Sequence, residues 1–308
     1  MYDIIGDIHG YHETLLSLLK KLGYKKINEH YQHTERKAIF VGDLVDRGPK
    51  IRETLQTVKA MVENNAAFAV MGNHEYNAIC FNTLSNGRDS FLRPHSRRNI
   101  NQHQATLDAF ASYPEEWQNY LLWLKDLPLF IELEGLRVVH ACWDASIITY
   151  FSNKLKGAVM DDDFLFRSAV PGSAEYKAVE TLLKGYEVYL PPGFYYRDRD
   201  GNSRTKIRVK WWKSFENETY RSISLSNDTA LPDSPIPHSK LHRFTSYAQH
   251  EKPVFFGHYW NTGKPELLKP NVCCVDYSLA KCEKLVAYRW NGEKELDNKY
   301  FIWQECVD

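Results

Sequence analysis

Three times within the first 73 residues, a short apolar run ends in a glycine followed by a residue with a ligand-type oxygen. Tyr2-Asp3-Ile4-Ile5 runs into Gly6-Asp7, Ala38-Ile39-Phe40-Val41 into Gly42-Asp43, and Ala67-Phe68-Ala69-Val70-Met71 into Gly72-Asn73. Helical patterns separate the runs. Leu15, Leu18, Leu19 and Leu22 fall at i, i+3, i+4, i+7 before Gly23, and Ile51, Leu55, Val58 and Val62 share one face behind Pro49. Buried strands alternating with amphipathic helices spell parallel β-α-β units, so a layered α/β fold is expected. The carboxyl ends of such strands open onto the ligand crevice, and three of them can aim Asp7, Asp43 and Asn73 at one spot.

The rest of the chain breaks and then resumes this rhythm. Residues 85–126 hold a polar stretch with Arg88, Arg93, Arg97 and Arg98, then a helical pattern with Trp117, Tyr120, Leu121 and Leu124 in register, which reads as an insertion. Strands are expected at Leu129 to Leu133 and Leu136 to Val139, the second ending at His140. Residues 145–250 carry the turn signals Pro171-Gly172, Pro191-Pro192-Gly193 and Asp200-Gly201, and read as a second insertion or lid on a single domain spanning 1–308. Val254-Phe255-Phe256 then leads into Gly257-His258. With Val272 to Asp276 and Leu285 to Trp290 it is expected to form a second sheet.

Composition limits the functional classes. With 43% hydrophobic and 25% charged residues the chain is neither disordered nor membrane-embedded, and 39 basic against 39 acidic residues leave no global field toward nucleic acid or anionic lipid. Any anion site must be local. The opening residues lack a basic and an apolar region, so no cleaved signal is expected and a cytoplasmic location follows. The six cysteines are too sparse for a disulfide scaffold and are expected mostly as buried thiols.

The polar residues at strand ends form one set: Asp7, His9, Asp43, Asn73, His140 and His258. Carboxylate, amide and imidazole donors together suit borderline divalent ions such as Mn, Fe, Zn, Co or Ni, whereas Mg or Ca would take nearly all oxygen. So many donors exceed one tetrahedral ion, and two ions sharing a bridging carboxylate use them naturally.

The motifs Gly6-Asp7-Ile8-His9-Gly10, Gly42-Asp43-Leu44-Val45-Asp46-Arg47-Gly48 and Gly72-Asn73-His74-Glu75, followed by His140 and Gly257-His258, resemble the metal-dependent phosphoesterase superfamily. Within it they are most similar to the phosphoprotein-phosphatase-like branch. The resemblance implies a four-layer α/β/β/α sandwich of two mixed sheets, and two divalent ions, with Mn expected. Asp7 and His9 would bind the first, Asp43 would bridge, and Asn73, His140 and His258 would bind the second. It also implies attack by a metal-bridging hydroxide, with His74 as general acid oriented by Asp46 and Arg47 clamping phosphate. A second phosphate-binding arginine is expected between the late histidines. Arg208 is the choice, with Arg167, Arg204 and Arg221 as rivals. Asp276 is expected either behind His258 or as a plain turn residue.

Gly257-His258-Tyr259-Trp260 lacks the second histidine of the wider superfamily, and Ala141-Cys142-Trp143-Asp144 follows His140 where eukaryotic Ser/Thr phosphatases carry Gly-Gly. Both features resemble bacterial symmetrical bis(5′-nucleosyl)-tetraphosphatases and the phosphatase module of RNA-repair enzymes. A phosphorylated small molecule, a nucleotide phosphate ester or a dinucleoside polyphosphate is therefore the expected substrate. An RNA end, a phosphoprotein or a scaffold without turnover are the alternatives; no membrane partner is expected. The Arg88 to Arg98 segment, with His95 and His103, reads either as a polyphosphate grip or as a solvated loop. Phe194-Tyr195-Tyr196 and Trp211-Trp212 read either as a nucleobase platform or as lid core.

Overall fold

The computed structural model describes every residue except 86, 88, 198–200, 227 and 243. The first half runs β1 (Tyr2–Ile5), α1 (His12–Leu22), a small hairpin of β2 (Lys25–Ile27) and β3 (His30–Gln32), β4 (Lys37–Phe40), α2 (Ile51–Glu63) and β5 (Ala67–Ala69). There follow α3 (Asn73–Asn82), α4 (Arg97–Phe110), α5 (Pro114–Lys125), β6 (Phe130–Glu132) and β7 (Arg137–Val139). Residues 145–250 hold α6 (Ala145–Lys154), α7 (Asp162–Ser168), α8 (Ala174–Lys184), β8 (Glu187–Tyr189), β9 (Tyr196–Arg197), β10 (Ser203–Arg204), β11 (Lys206–Arg208), α9 (Tyr220–Ile223) and α10 (His238–Leu241). The chain closes with β12 (Val254–Phe256), β13 (Val272–Cys274), β14 (Asp276–Tyr277), β15 (Lys284–Trp290) and β16 (Phe301–Glu305).

Helix α1 buries Leu15, Leu18, Leu19 and Leu22 and stops at Gly23, which takes the left-handed C-cap conformation at φ 91°. Helix α5 starts with proline in its first turn and buries Trp117, Tyr120, Leu121 and Leu124, the stripe that the sequence spacing predicts.

Both sheets are mixed. In the larger, β1, β4 and β5 run parallel, while β15 lies antiparallel to β1 with Tyr2 opposite Trp290, and β14 and β16 pair antiparallel with β15. In the smaller, β13, β12 and β7 are parallel and β6 is antiparallel. This corrects one expectation. Leu285 to Trp290 belongs to the first sheet, because its backbone completes the open edge of β1; the alternating pattern of a strand does not say which edge it joins.

Period-two alternation builds the layers. Ile4, Ile39, Val286 and Tyr288 from the larger sheet meet Val138, Phe255 and Cys273 from the smaller in one buried cluster between the sheets. Their neighbours Ile5, Phe40, Ala287, Val139 and Phe256 point the other way into a second cluster shared with the helices. The order is therefore helix, sheet, sheet, helix.

Four cysteines, Cys80, Cys142, Cys273 and Cys274, are buried thiols as expected, whereas Cys282 and Cys306 form a disulfide between the start of β15 and the end of β16. None of the described helices is long and apolar enough to cross a membrane.

Candidate active site

The loops leaving β1, β4, β5, β7 and β12 meet above the carboxyl ends of these strands. The amides of Ile8 and His9 donate to the Asp43 carbonyl at 3.1 and 2.8 Å, and the Gly257 amide donates to the His140 carbonyl at 2.9 Å. Gly42, at φ 97°, packs so closely on the next loop that a Cβ would lie 2.5 Å from the Gly72 nitrogen. Gly257 faces Asp7, and a Cβ there would stand 1.9 Å from the Asp7 Oδ1. His9, Asp43, Asp46, Arg47, His258 and Trp260 all hold positive φ, a concentration of backbone strain typical of functional sites.

The side chains converge on one carboxylate oxygen. Asp43 Oδ2 is 3.6 Å from His9 Nε2 and 3.4 Å from His140 Nε2, and His140 Nε2 is 3.1 Å from Asn73 Oδ1. Donor atoms of Asp43, His140 and His258 lie within 4.8 Å of one another, and so do those of His9, Asp43 and His74. Asp43 is common to both groups. Asp7 stands beside them with its Oδ2 accepting the His258 amide at 3.0 Å.

This donor set fits cations. His9 Nδ1 lies 3.0 Å from the Val45 carbonyl and His140 Nδ1 2.7 Å from the Val41 carbonyl, so each Nδ1 carries a proton and each Nε2 is turned to the centre. Burial works against a second proton on His140, but the Asp43 charge and hydrogen bond lift it above its ordinary value, a place that a cation on Nε2 would take. His140 Nε2, Asp43 Oδ2 and Asn73 Oδ1 thus face one another across one small space. Asp7 Oδ1, His9 Nε2 and His258 Nε2 are buried without any hydrogen-bond partner. Buried polar atoms are rarely left so, and several aimed together are satisfied by a positive ion.

The electrostatics agree. Burial, then the His74 charge, pushes His9 down to about 4, and burial followed by Arg208 pushes His258 well below its ordinary value, so both rings are neutral donors at neutral pH. Burial, then the charges of Asp276 and Asp43, pushes Asp7 well up, a repulsion that a cation would relieve.

Beside this centre, His74 Nδ1 meets Asp46 Oδ2 at 2.5 Å. Burial works against protonation of His74, but the Asp43 charge and the Asp46 hydrogen bond lift it above its ordinary value. Arg47 is exposed and stands over the Trp260 ring at 5.7 Å. Arg208 ends β11 close enough for its charge to act on His258. Two rivals are engaged elsewhere: Arg167 pairs with Asp163 and Glu175, and Arg221 binds the Leu231 carbonyl and Asp233. Arg204 lies on the β9–β10 hairpin.

Asp276 is buried and accepts the Trp260 amide at 2.6 Å and the Ser278 amide at 3.0 Å, bracing the loop after His258. Burial raises it to about 6.

Trp211 and Trp212 are core: both are buried against Phe256, and the Trp211 indole N–H donates to the Ala141 carbonyl at 2.9 Å. Phe194 and Tyr195 are exposed. In the arginine segment, Arg93 turns inward to Asn77 and Gln102, at 2.8 Å each, Arg97 and Arg98 are exposed, and Arg88 lies outside the described residues.

Three residues have roles that sequence reasoning misses. Glu75 is fully buried, and its carboxylate accepts the amides of Gly72, Asp43, Leu44 and Val45 at 2.9, 2.7, 2.8 and 3.3 Å. It pins the turn carrying Asp43 to the start of α3; an acidic residue at the third helical position is the available signal. His103 Nδ1 and Thr106 Oγ1 reach Asp46 Oδ1 at 2.7 and 2.6 Å.

The sequence profile of the calcineurin-like phosphoesterase family matches residues 2–250. The chain belongs to that family. As a calcineurin-like phosphoesterase it is a metal-dependent phosphohydrolase. It is 24% identical over 304 residues to a symmetrical bis(5′-nucleosyl)-tetraphosphatase of Vibrio vulnificus, covering 96% of this chain and 97% of that one. Over 76 residues it is 53% identical to an asymmetrical bis(5′-nucleosyl)-tetraphosphatase of Anoxybacillus flavithermus, covering 24% of this chain and 31% of the relative. Against such asymmetrical relatives this phosphoesterase spans between 30% and 54% of their length. The solved protein serine/threonine phosphatase of Saccharomyces cerevisiae superposes with a TM-score of 0.50 at 15% identity, covering 100% of this chain and 80% of that one; the likeness is one of fold.

Proposed function

We propose that this phosphoesterase hydrolyses a nucleotide-type phosphate ester or a dinucleoside polyphosphate at a dinuclear centre. The observation that carries the reading is the convergence of orphaned, buried donor atoms around Asp43 Oδ2, beside the His74–Asp46 pair. Asp7 and His9 would hold one cation, Asn73, His140 and His258 the other, and Asp43 would join them. The mixed oxygen and nitrogen donors suit the borderline divalent ions as a class, and among them manganese is the one that the family resemblance implies. When bound, the cations would neutralise phosphate charge and acidify a water.

The chain's own residues do the rest. Arg47 and Arg208 hold the phosphate oxygens with charge-assisted hydrogen bonds. His74 has Nδ1 committed to Asp46, so it delivers its proton from Nε2 to the leaving oxygen. Asp46 keeps that ring in place through the transfer. The nucleotide preference rests on the residues around His140 and His258 and on the tetraphosphatase relative that matches nearly end to end.

Residues 85–126 and 145–250 are read as insertions of a single domain that shape the substrate side. Their buried residues join the same apolar cluster as α1 and α2, which supports one domain over two. A cytoplasmic location belongs to the same reading.

The test is a panel with manganese-loaded protein: p-nitrophenyl phosphate, a phosphodiester, diadenosine tetraphosphate, RNA 2′,3′-cyclic phosphate and a phosphopeptide. Diadenosine tetraphosphate or a nucleotide ester should be turned over best. Hydrolysis of the phosphopeptide alone overturns the nucleotide assignment, and no turnover with two ions retained points to a scaffold.

A further inference from the structure

Asp46 is held by more than its acid. The buried carboxylate sits at a strained φ of 68° and carries hydrogen bonds on both oxygens. Oδ2 faces His74 Nδ1 at 2.5 Å. Oδ1 receives His103 Nδ1–H at 2.7 Å and Thr106 Oγ1–H at 2.6 Å, and the same threonine hydroxyl accepts the Asp46 amide at 3.0 Å. Thr106 therefore closes a ring on one residue, gripping the backbone and the side chain of Asp46 together.

We propose that His103 and Thr106 are positioning residues for phosphoryl-ester cleavage: from α4 they lock the Asp46 carboxylate so that Oδ2 stays aimed at His74. The inference rests on the reading of His74 as general acid, and it gives a segment outside the metal-binding motifs a part in the chemistry.

Geometry and chemistry support it. A buried carboxylate with a single partner is free to rotate about its last bond or to take up a proton, and either change would release the His74 ring. Two further donors on Oδ1 remove both options. Burial alone would raise the Asp46 carboxyl, yet it is held well below its ordinary value, and the His103 hydrogen bond leads the groups that overcome burial.

His103, Thr106 and Phe110 fall at i, i+3 and i+7, and all three are buried on one face of α4. That face is anchored independently of the site by Phe110 against Trp117, with ring centroids 4.8 Å apart. The clamp is thus a rigid helix rather than a loop. His103 Nε2 is buried and unpartnered, and His103 lines a cavity of about 60 Å³ that His74, Asn73 and Arg93 also line. The positioning residue and the acid therefore border the same small space on the leaving-group side.

The experiment compares kcat on an alkyl phosphate, which needs a proton on its leaving oxygen, with kcat on p-nitrophenyl phosphate, which scarcely does. General acids contribute roughly 10²- to 10⁴-fold, and small misplacements cost up to about 10²-fold. His103→Ala and Thr106→Ala should therefore lower the alkyl rate about 10- to 100-fold while the aryl rate falls less than about three-fold. His103→Asn, whose amide N–H can stand where Nδ1–H stood, and Thr106→Ser should restore most of the alkyl rate. Equal losses on both substrates, or no loss on either, with retained metal content would overturn the proposal. Should His103→Ala not fold, the Thr106→Ala and Thr106→Ser pair decides the matter by the same comparison. His74→Ala is the control: if it shows no leaving-group dependence the acid assignment fails, whereas dependence in His74→Ala without it in the α4 variants sinks this inference alone.

Discussion

Replacing Glu75 by Gln changes one atom and should unsettle the whole centre. The wild-type carboxylate accepts four backbone amides, two at each oxygen, at 2.7 to 3.3 Å. Glutamine keeps one acceptor oxygen and turns an NH2 group on the other pair, so two buried N–H groups lose their partner and face a donor instead. An unsatisfied buried donor costs about 1–3 kcal/mol, which puts Glu75→Gln at roughly 2–6 kcal/mol before any relaxation. At this chain length a kcal/mol corresponds to about 1.5 °C in Tm, so the metal-free protein should melt about 3–9 °C lower by calorimetry. Whichever pair is lost, Gly72 and Asp43 or Leu44 and Val45, the turn that carries Asp43 loosens, so metal retention should fall with stability. Glu75→Ala removes the clash but abandons all four amides, and should be no milder. A Glu75→Gln protein that melts within about 1 °C of wild type and keeps its ions would refute the claim that this carboxylate organises the Asp43 turn.

Gly257→Ala would place a methyl group 1.9 Å from Asp7 Oδ1, so protein soaked in manganese and desalted should lose at least one of its ions by elemental analysis; full retention would free Asp7 from the proposed ligand set. Asp46 holds its proton less tightly folded than unfolded, so its contribution to stability is present above the unfolded carboxyl pKa of about 4 and is lost as pH falls below it. Urea melts of metal-free protein from about pH 3 to 7 should therefore show a steeper acid loss in wild type than in Asp46→Asn, and parallel profiles would contradict the depressed value. Arg208→Ala should lower kcat/KM about 10- to 100-fold through the loss of a charge-assisted contact, whereas Arg221→Ala, whose guanidinium is already bound to Leu231 and Asp233, should leave it near wild type. Equal effects would remove Arg208 as the second phosphate contact.

The converging centre was legible because its residues carry local signals. Asp7, Asp43, Asn73, His140 and His258 each end or follow a strand, and parallel topology places such ends on one side of a sheet, so the pattern foretells their meeting without any knowledge of distance. Sheet membership was not legible in the same way. Leu285 to Trp290 has the alternation of a half-buried strand, but its place beside β1 depends on pairing across the whole chain, Tyr2 with Trp290, which no window of sequence contains. The Cys282–Cys306 bond is hidden for the same reason: their separation of 24 residues means nothing until β15 and β16 are known to be neighbours.

The same distinction explains why the contacts of Glu75, His103 and Thr106 are silent in the sequence while the proposed roles of Asp46 and His74 are not. A group that meets the substrate or the metal is advertised by a motif, since the chemistry needs that residue type at that loop. A group that holds another group needs only to arrive from somewhere, and Asp46 is gripped from α4, 57 and 60 residues along the chain. What α4 does offer is a histidine and a threonine three apart on the face that carries Phe110, polar residues where an amphipathic helix should bury apolar ones. A buried polar pair on a core-facing stripe must have partners, and in a chain whose motifs already supply a buried aspartate beside the proposed acid, the carboxylate of Asp46 is the acceptor that two such donors fit.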